Sequence, residues 1–223
     1  MSGRLDLPNV QSMAEVARVA MAYIPPDCRF TSGDAQAIVD HRELLLGLGT
    51  RLVTGFYDTL YAHPPTAAVF RDNERSERER TLDQWWQRTV SGPLDDDYFS
   101  WMAMVGLVHV SRGVQNPAML AMAEHIVDVL AAEFASSDMP IADRDRLVEA
   151  FRRLVSTLGA LITFGYTFGY EEAIWTVLDD VVGMPEGLLR RLRVQQMIAA
   201  VDRARAERHV LPGPDFSWVQ SSD

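Results

Sequence analysis

The sequence predicts an all-α protein, and three observations carry that expectation. Apolar residues recur at three- and four-residue spacing through most of the chain. Alternating apolar and polar runs of the kind that make strands are scarce. Prolines fall between the periodic segments, where a missing N–H and a fixed φ end a helix at little cost.

Taken in order, residues 8–23 read as a helix with Val16, Val19, Ala20 and Tyr23 on one face, stopped by Pro25 and Pro26. Thr31 or Ser32 caps a second helix running to about Gly47. Residues 51–62 form a third, with Val53, Phe56, Tyr57 and Leu60 along one side, closed by His63-Pro64-Pro65. Residues 65–70 make a turn or short helix. The charged stretch 72–80 leads into a helix through Leu82, Trp85, Trp86 and Thr89, ended by Ser91-Gly92-Pro93. Asp95-Asp96-Asp97 suits the positive N-terminal end of the next helix, which carries His109. Pro117 opens a helix to about Phe134, and Asp143 a longer one to about Tyr170. Beyond it, 171–182 is helix-compatible, 183–187 breaks the pattern, and 188–208 resumes it. That last piece carries a narrow apolar stripe of Val194, Met197, Ile198, Val201 and Ala204. From Val210 onward an irregular end is expected.

At 223 residues the chain suits one main domain with appendages and can bury a sizeable core. The expected division is 1–30 as an N-terminal helical segment, 31–170 as the main domain and 171–223 as a helical tail. A net charge of -10 argues against nucleic acid, whose phosphates need a basic surface. All 21 basic residues are arginine, which excludes Schiff-base and P-loop lysine chemistry. Cys28 is the single cysteine, so neither an intrachain disulfide nor a thiolate metal cluster can form. No apolar run reaches membrane-spanning length, and the first residues lack a leader pattern. Cytoplasm is the expected compartment.

Familiar catalytic constellations are absent: there is no Gly-x-Ser-x-Gly elbow and no His-Glu-x-x-His helix. Gly47-Leu-Gly49 lacks a preceding strand and a third glycine, and reads as a place where two helices pack closely. Glu171-Glu172 and Asp179-Asp180 point to different helix faces and read as solvated. His41, His125 and His209 sit in polar surroundings, and His63 is a helix-end residue. Met102, Met104, Met119 and Met122 read as core filling. His109 stands apart, in the largely apolar run from Met102 to Gly113. It is either a core histidine bonded to a carbonyl or the ligand of a metal or haem iron.

Three segments decide between these, and together they resemble the protoglobin and globin-coupled sensor family. Gly55-Phe56-Tyr57-Asp58-Thr-Leu60-Tyr-Ala-His63-Pro64 is similar to that family's B-helix motif. Leu82-Asp-Gln-Trp85 through Ser91-Gly92-Pro-Leu-Asp-Asp-Asp-Tyr98 is similar to its E-helix and following loop. Val105-Gly106-Leu-Val-His109-Val-Ser-Arg112-Gly113-Val114 resembles the proximal-histidine segment Ile-Gly-x-x-His-x-x-x-Gly-Val, the most specific of the three. The resemblance covers roughly residues 8–170. The family's Pro-Gly-Tyr-Thr-Tyr-Gly signature is missing after the first helix, where Ile24-Pro25-Pro26-Asp27-Cys28 stands instead. A look-alike, Gly165-Tyr-Thr-Phe-Gly169, lies in the wrong helix and reads as coincidence.

The resemblance implies a 3-over-3 globin fold with an extra N-terminal helix and a C-terminal helical tail too short for a methyl-accepting, cyclase or kinase output domain. It implies haem b (iron protoporphyrin IX) as cofactor, with His109 as ligand of the iron. Tyr57 would donate its hydroxyl hydrogen to a bound gas. Phe56, Leu82 and Trp85 would supply apolar distal walls, and Gly106 would let the helix approach the macrocycle. Arg78 reads first as solvated, with the distal entrance or a propionate as its other reading. The expected function is reversible binding of O2, CO or NO for sensing or gas handling. The expected assembly is a homodimer through the last two globin helices, favoured by the apolar stretch 154–168, with a signalling partner reached through the tail. A haem enzyme acting on nitric oxide or peroxide is one alternative, and a haem-free globin-fold interaction module the other. No membrane or nucleic-acid partner is expected.

Overall fold

A computed structural model of the chain describes residues 12–182 together with Gln195 and Ala199. The expected helix start at Pro8, the break at 183–187, the stripe from Val194 to Ala204 and the irregular end from Val210 lie outside the described residues. Residues 9–170 gather into one compact unit, and the description that follows concerns that unit.

The described residues form eight α-helices and no strand: α1 (Met13–Tyr23), α2 (Ser32–Asp40), α3 (Arg42–Ala62), α4 (Pro64–Ala67), α5 (Arg75–Ser91), α6 (Asp96–Arg112), α7 (Asn116–Ala135) and α8 (Ile141–Val182). Local chemistry sets most of the ends. Ser12 caps α1 by accepting the Glu15 N–H, and Thr31 forms a reciprocal capping box with Asp34 on α2. Asp95 caps α6 by accepting the Tyr98 N–H at 3.1 Å, with Asp96 and Asp97 in its first turn. Proline opens α4 and α7 at a position where no N–H is needed.

The core runs along α8. Leu147, Ala150, Phe151, Leu154 and Leu161 on that helix are fully covered. Trp86 of α5 stacks on Phe151 with centroids 5.7 Å apart, while its indole N–H donates to the Leu45 carbonyl of α3 at 2.9 Å. The Phe30 N–H donates to the Thr157 hydroxyl at 3.1 Å, and Arg153 pairs with the buried carboxylate of Asp34, its Nε at 2.9 Å. Burial pushes the Asp34 carboxyl up, but the hydrogen bonds from Arg153 and Thr31 outweigh it and hold the group below its usual range. These contacts fasten α2, α3 and α5 to one central helix. They also account for the apolar stretch 154–168: Leu154, Val155, Leu158 and Leu161 are covered by helices of the same chain.

Four details depart from the sequence reading. The break expected after Gly47 falls instead at His41, and α3 runs straight through Gly47 and Gly49. Gly49 is there for packing, since a Cβ would stand 2.9 Å from the Trp86 ring, whereas Gly47 has nothing within 4 Å. Tyr23, expected on the buried face of α1, is 63% exposed, because that face is Val16, Ala17 and Ala20 and the helix is already in its last turn. Met104 is exposed on α6, unlike the buried Met102, Met119 and Met122. The long helix does not pause near Tyr170 but is continuous to Val182.

One crossing sets how closely two helices approach. A Cβ on Gly106 of α6 would overlap the Ile162 carbonyl oxygen and the Tyr166 nitrogen of α8. A Cβ on Gly165 of α8 would overlap the Ala103 carbonyl oxygen in return. Backbone meets backbone there, with no flexible side chain to give way. Gly165 thus has a structural purpose inside the Gly165–Gly169 stretch that read as coincidence. Gly165→Ala is expected to destabilise the protein by about 1–3 kcal/mol or more. Gly47→Ala, in open space inside a helix, should stabilise it by about 0.5–1 kcal/mol. Urea midpoints of the two variants check this pair of opposite signs.

Candidate functional site

The site is best built outward from the C-terminal end of α6. Gly113 takes the left-handed conformation, φ 73° and ψ 17°, and ends the helix four residues after His109. The Val114 N–H turns back to donate to the His109 carbonyl at 3.0 Å. The Gly113-Val114 pair in the motif is therefore a helix stop that fixes the last turn, and with it the base of the His109 side chain.

The His109 imidazole is mostly covered, and its Nδ1 is buried with no hydrogen-bond partner. Burial, helped by the charge of Arg112, pushes its pKa from 6.5 down to about 4. At neutral pH the ring is therefore uncharged and keeps a nitrogen lone pair for coordination. Of the two sequence readings, a histidine satisfied by a core carbonyl does not describe this Nδ1.

Tyr57 lies on α3 and is also buried. Its hydroxyl donates to the Arg78 carbonyl of α5 at 3.0 Å. Its ring stands edge-on to Phe56 at 5.4 Å and to Phe70 at 5.8 Å. Burial pushes the phenol up to about 12, against the opposing pull of the Arg78 charge. The tyrosine is thus a firm proton holder near neutral pH, and in this structure its donor is engaged by a backbone acceptor.

A cluster of charges joins the Tyr57 side to the His109 side. Asn73, at φ 61°, turns the chain into α5 and presents Glu74. The Glu74 side chain is only 10% exposed. It accepts from Arg112 at 2.7 Å and from the Arg71 N–H at 3.0 Å, and its second oxygen lies 3.3 Å from Arg78 Nε. That last pair is electrostatic, since its geometry leaves Arg78 Nε without a hydrogen bond. Hydrogen bonding from Arg112 is the main cause that holds the Glu74 carboxyl down to about 2. Arg78 also pairs with Glu77 and, at 22% side-chain exposure, is not the solvated residue the sequence suggested.

The remaining sequence-derived residues divide. Phe56 packs in the ring cluster around Tyr57, and Leu82 and Trp85 are partly buried on α5 against the core. Gly106 faces the backbone of α8, so its lack of a side chain serves the helix crossing described above. Sequence reasoning passed over Phe70, Glu74 and Arg112 as site neighbours. Arg112 carried a signal, its place one turn after His109, but nothing local announces its partner 38 residues earlier.

Among the described residues no three His, Cys, Asp or Glu side chains come together to cage a metal ion. A metal held by His109 would have to bring its other ligands, as an iron porphyrin does. The neutral ring and the unpartnered Nδ1 fit such a group. No helix among the described residues is long and apolar enough to cross a membrane.

An all-helical unit with one such imidazole on α6 and a buried tyrosine on α3 has the make-up of a globin. The sequence matches the Protoglobin family over residues 27–172, well over half of the chain, and the protein belongs to that family. A solved structure it resembles is the globin domain of E. coli DosC, crystal form I in the ferric state. Identity there is 15% and the TM-score 0.45, over 68% of this chain and 97% of that one. Comparison with curated proteins gives no match.

The geometry sets an expected titration. A free histidine gains its proton near pH 6.5, so the His109 ring signals should stay at their neutral positions between about pH 7.5 and 5.5 in the haem-free protein. Because the folded value lies below the unfolded one, the neutral ring's contribution to stability is complete above 6.5 and is lost as pH falls toward 4. NMR of the imidazole resonances checks this, and a midpoint near 6.5 would contradict the burial argument.

Proposed function

We propose that this protein binds haem b through His109 and reversibly holds a diatomic gas, O2, CO or NO, for sensing or gas handling. The observation that carries the reading is the neutral imidazole with an unpartnered buried Nδ1, placed at a helix end in a chain of the protoglobin family.

When bound, haem would supply the iron to which a gas adds. The chain's own residues do the rest. The Gly113 stop fixes the turn from which His109 reaches its ligand position. Phe56, Leu82 and Trp85, partly buried beside Tyr57, supply apolar surface that keeps water away. Tyr57 brings a hydroxyl that can be given to a gas only by releasing the Arg78 carbonyl. A phenol held near 12 favours hydrogen-bond donation over proton transfer, which supports gas holding over peroxidase-like acid–base chemistry. The reading includes a cytoplasmic homodimer and a signalling partner reached through residues 171–223. Sedimentation velocity tests the dimer, and gas spectra of the chain with and without 171–223 test coupling to the tail.

Reconstituted with haem, the protein should show a Soret band and a reversible CO complex. His109→Ala should lose the histidine-ligated ferrous spectrum. An unchanged ferrous spectrum and gas affinity in that variant would remove His109 from the role. Tyr57→Phe should speed oxygen release about three- to tenfold in stopped flow, the worth of one net hydrogen bond. A rate equal to that of the unaltered protein would mean that Tyr57 never leaves the Arg78 carbonyl.

A further inference from the structure

Arg112 leaves α6 one turn after His109, on the same side of the helix. Its charge is near enough to be felt at the imidazole. Its side chain is 22% exposed, so most of it lies against protein. A guanidinium carries five N–H donors in a planar fork, yet Arg112 makes a single hydrogen bond among the described residues, to Glu74 Oε2. Glu74 is itself fixed from two further sides, by the Arg71 N–H and the Arg78 guanidinium. The result is a cation held firmly in place by one carboxylate, with most of its donors left over, one helical turn from a neutral histidine.

The surplus has a chemical meaning. A guanidinium fork binds carboxylates in pairs of parallel hydrogen bonds, and such charge-assisted bonds are about twice as strong as neutral ones. We propose that Arg112 anchors a propionate of the porphyrin, and that Glu74 is a positioning residue that holds the guanidinium ready. This rests on the reading of His109 as haem ligand. Haem carries its two carboxylates at the rim of the ring whose centre binds the histidine. A carboxylate anchor one turn along the same helix therefore grips the molecule at a second point and fixes its rotation about the iron–histidine axis.

The test compares haem with its dimethyl ester, which keeps the iron and the ring but has no carboxylate to grip. Loss of each from the protein is followed in the Soret region during transfer to an excess of a haem-scavenging apoglobin. Arg112→Gln should speed the loss of haem about tenfold or more and leave the loss of the diester unchanged. Arg112→Lys, which keeps the charge but not the fork, should fall between the two for haem and again leave the diester alone. It carries the same comparison if Arg112→Gln does not regain native helicity by circular dichroism. Equal acceleration for both porphyrins, or none for haem, overturns the anchor while leaving the haem reading intact. Absence of a Soret band in the unaltered protein overturns the haem reading, and the anchor with it.

Discussion

The structure depends on the place where α6 and α8 touch with nothing between them. Gly106 and Gly165 let two backbones meet at a distance that no side chain would permit. Helix axes normally stay apart by the bulk of the side chains in their interface. Removing that bulk draws α6 down onto the central helix and fixes its height and its roll together. His109 lies one turn beyond Gly106, so the placement of its ring follows from this crossing more than from any contact the ring makes itself. The far end of the same helix is fixed by Gly113 in the left-handed region. Between a backbone crossing and a backbone stop, the histidine has little room to be anywhere else.

Tyr57 is attached by different means. Tyr57 is tied to the Arg78 carbonyl, Arg78 faces Glu74, and Glu74 accepts from Arg112 on the helix of His109. Each link is polar and partly sheltered, whereas the α6–α8 crossing is steric. His109 and Tyr57 are therefore held by forces of different character: one by shape, the other by a short relay of charges that side chains can rearrange.

The sequence made legible what is decided locally. The helices, the caps at Ser12, Thr31 and Asp95, and the stop at Gly113 all follow from neighbours within a few positions. The motif around His109 named the family because its spacing is specific. What could not be read depended on distant partners. The reading of Gly47-Leu-Gly49 as a close approach of helices holds at Gly49, but its partner Trp86, 37 positions away, could not be named. Gly165 read as coincidence because its partner Ala103 is on another helix. Within 154–168, Leu154, Val155, Leu158 and Leu161 are buried by their own chain, which periodicity alone cannot tell from burial by a second copy. Arg78 passed as solvated although Glu74, one turn earlier at the cap of the same helix, pairs with it.

Because the chain contains no lysine, every cation near the site is a guanidinium, a group that keeps its proton in proteins. Glu74 changes protonation only near 2, His109 only near 4 and Tyr57 only near 12. Across the whole span between the last two values, these three groups carry constant charge. Histidine, the side chain that ordinarily changes charge near neutral pH, thus sits here in surroundings that make it indifferent to such changes. A drift of pH anywhere between those two values would leave the charges of this part of the molecule unaltered.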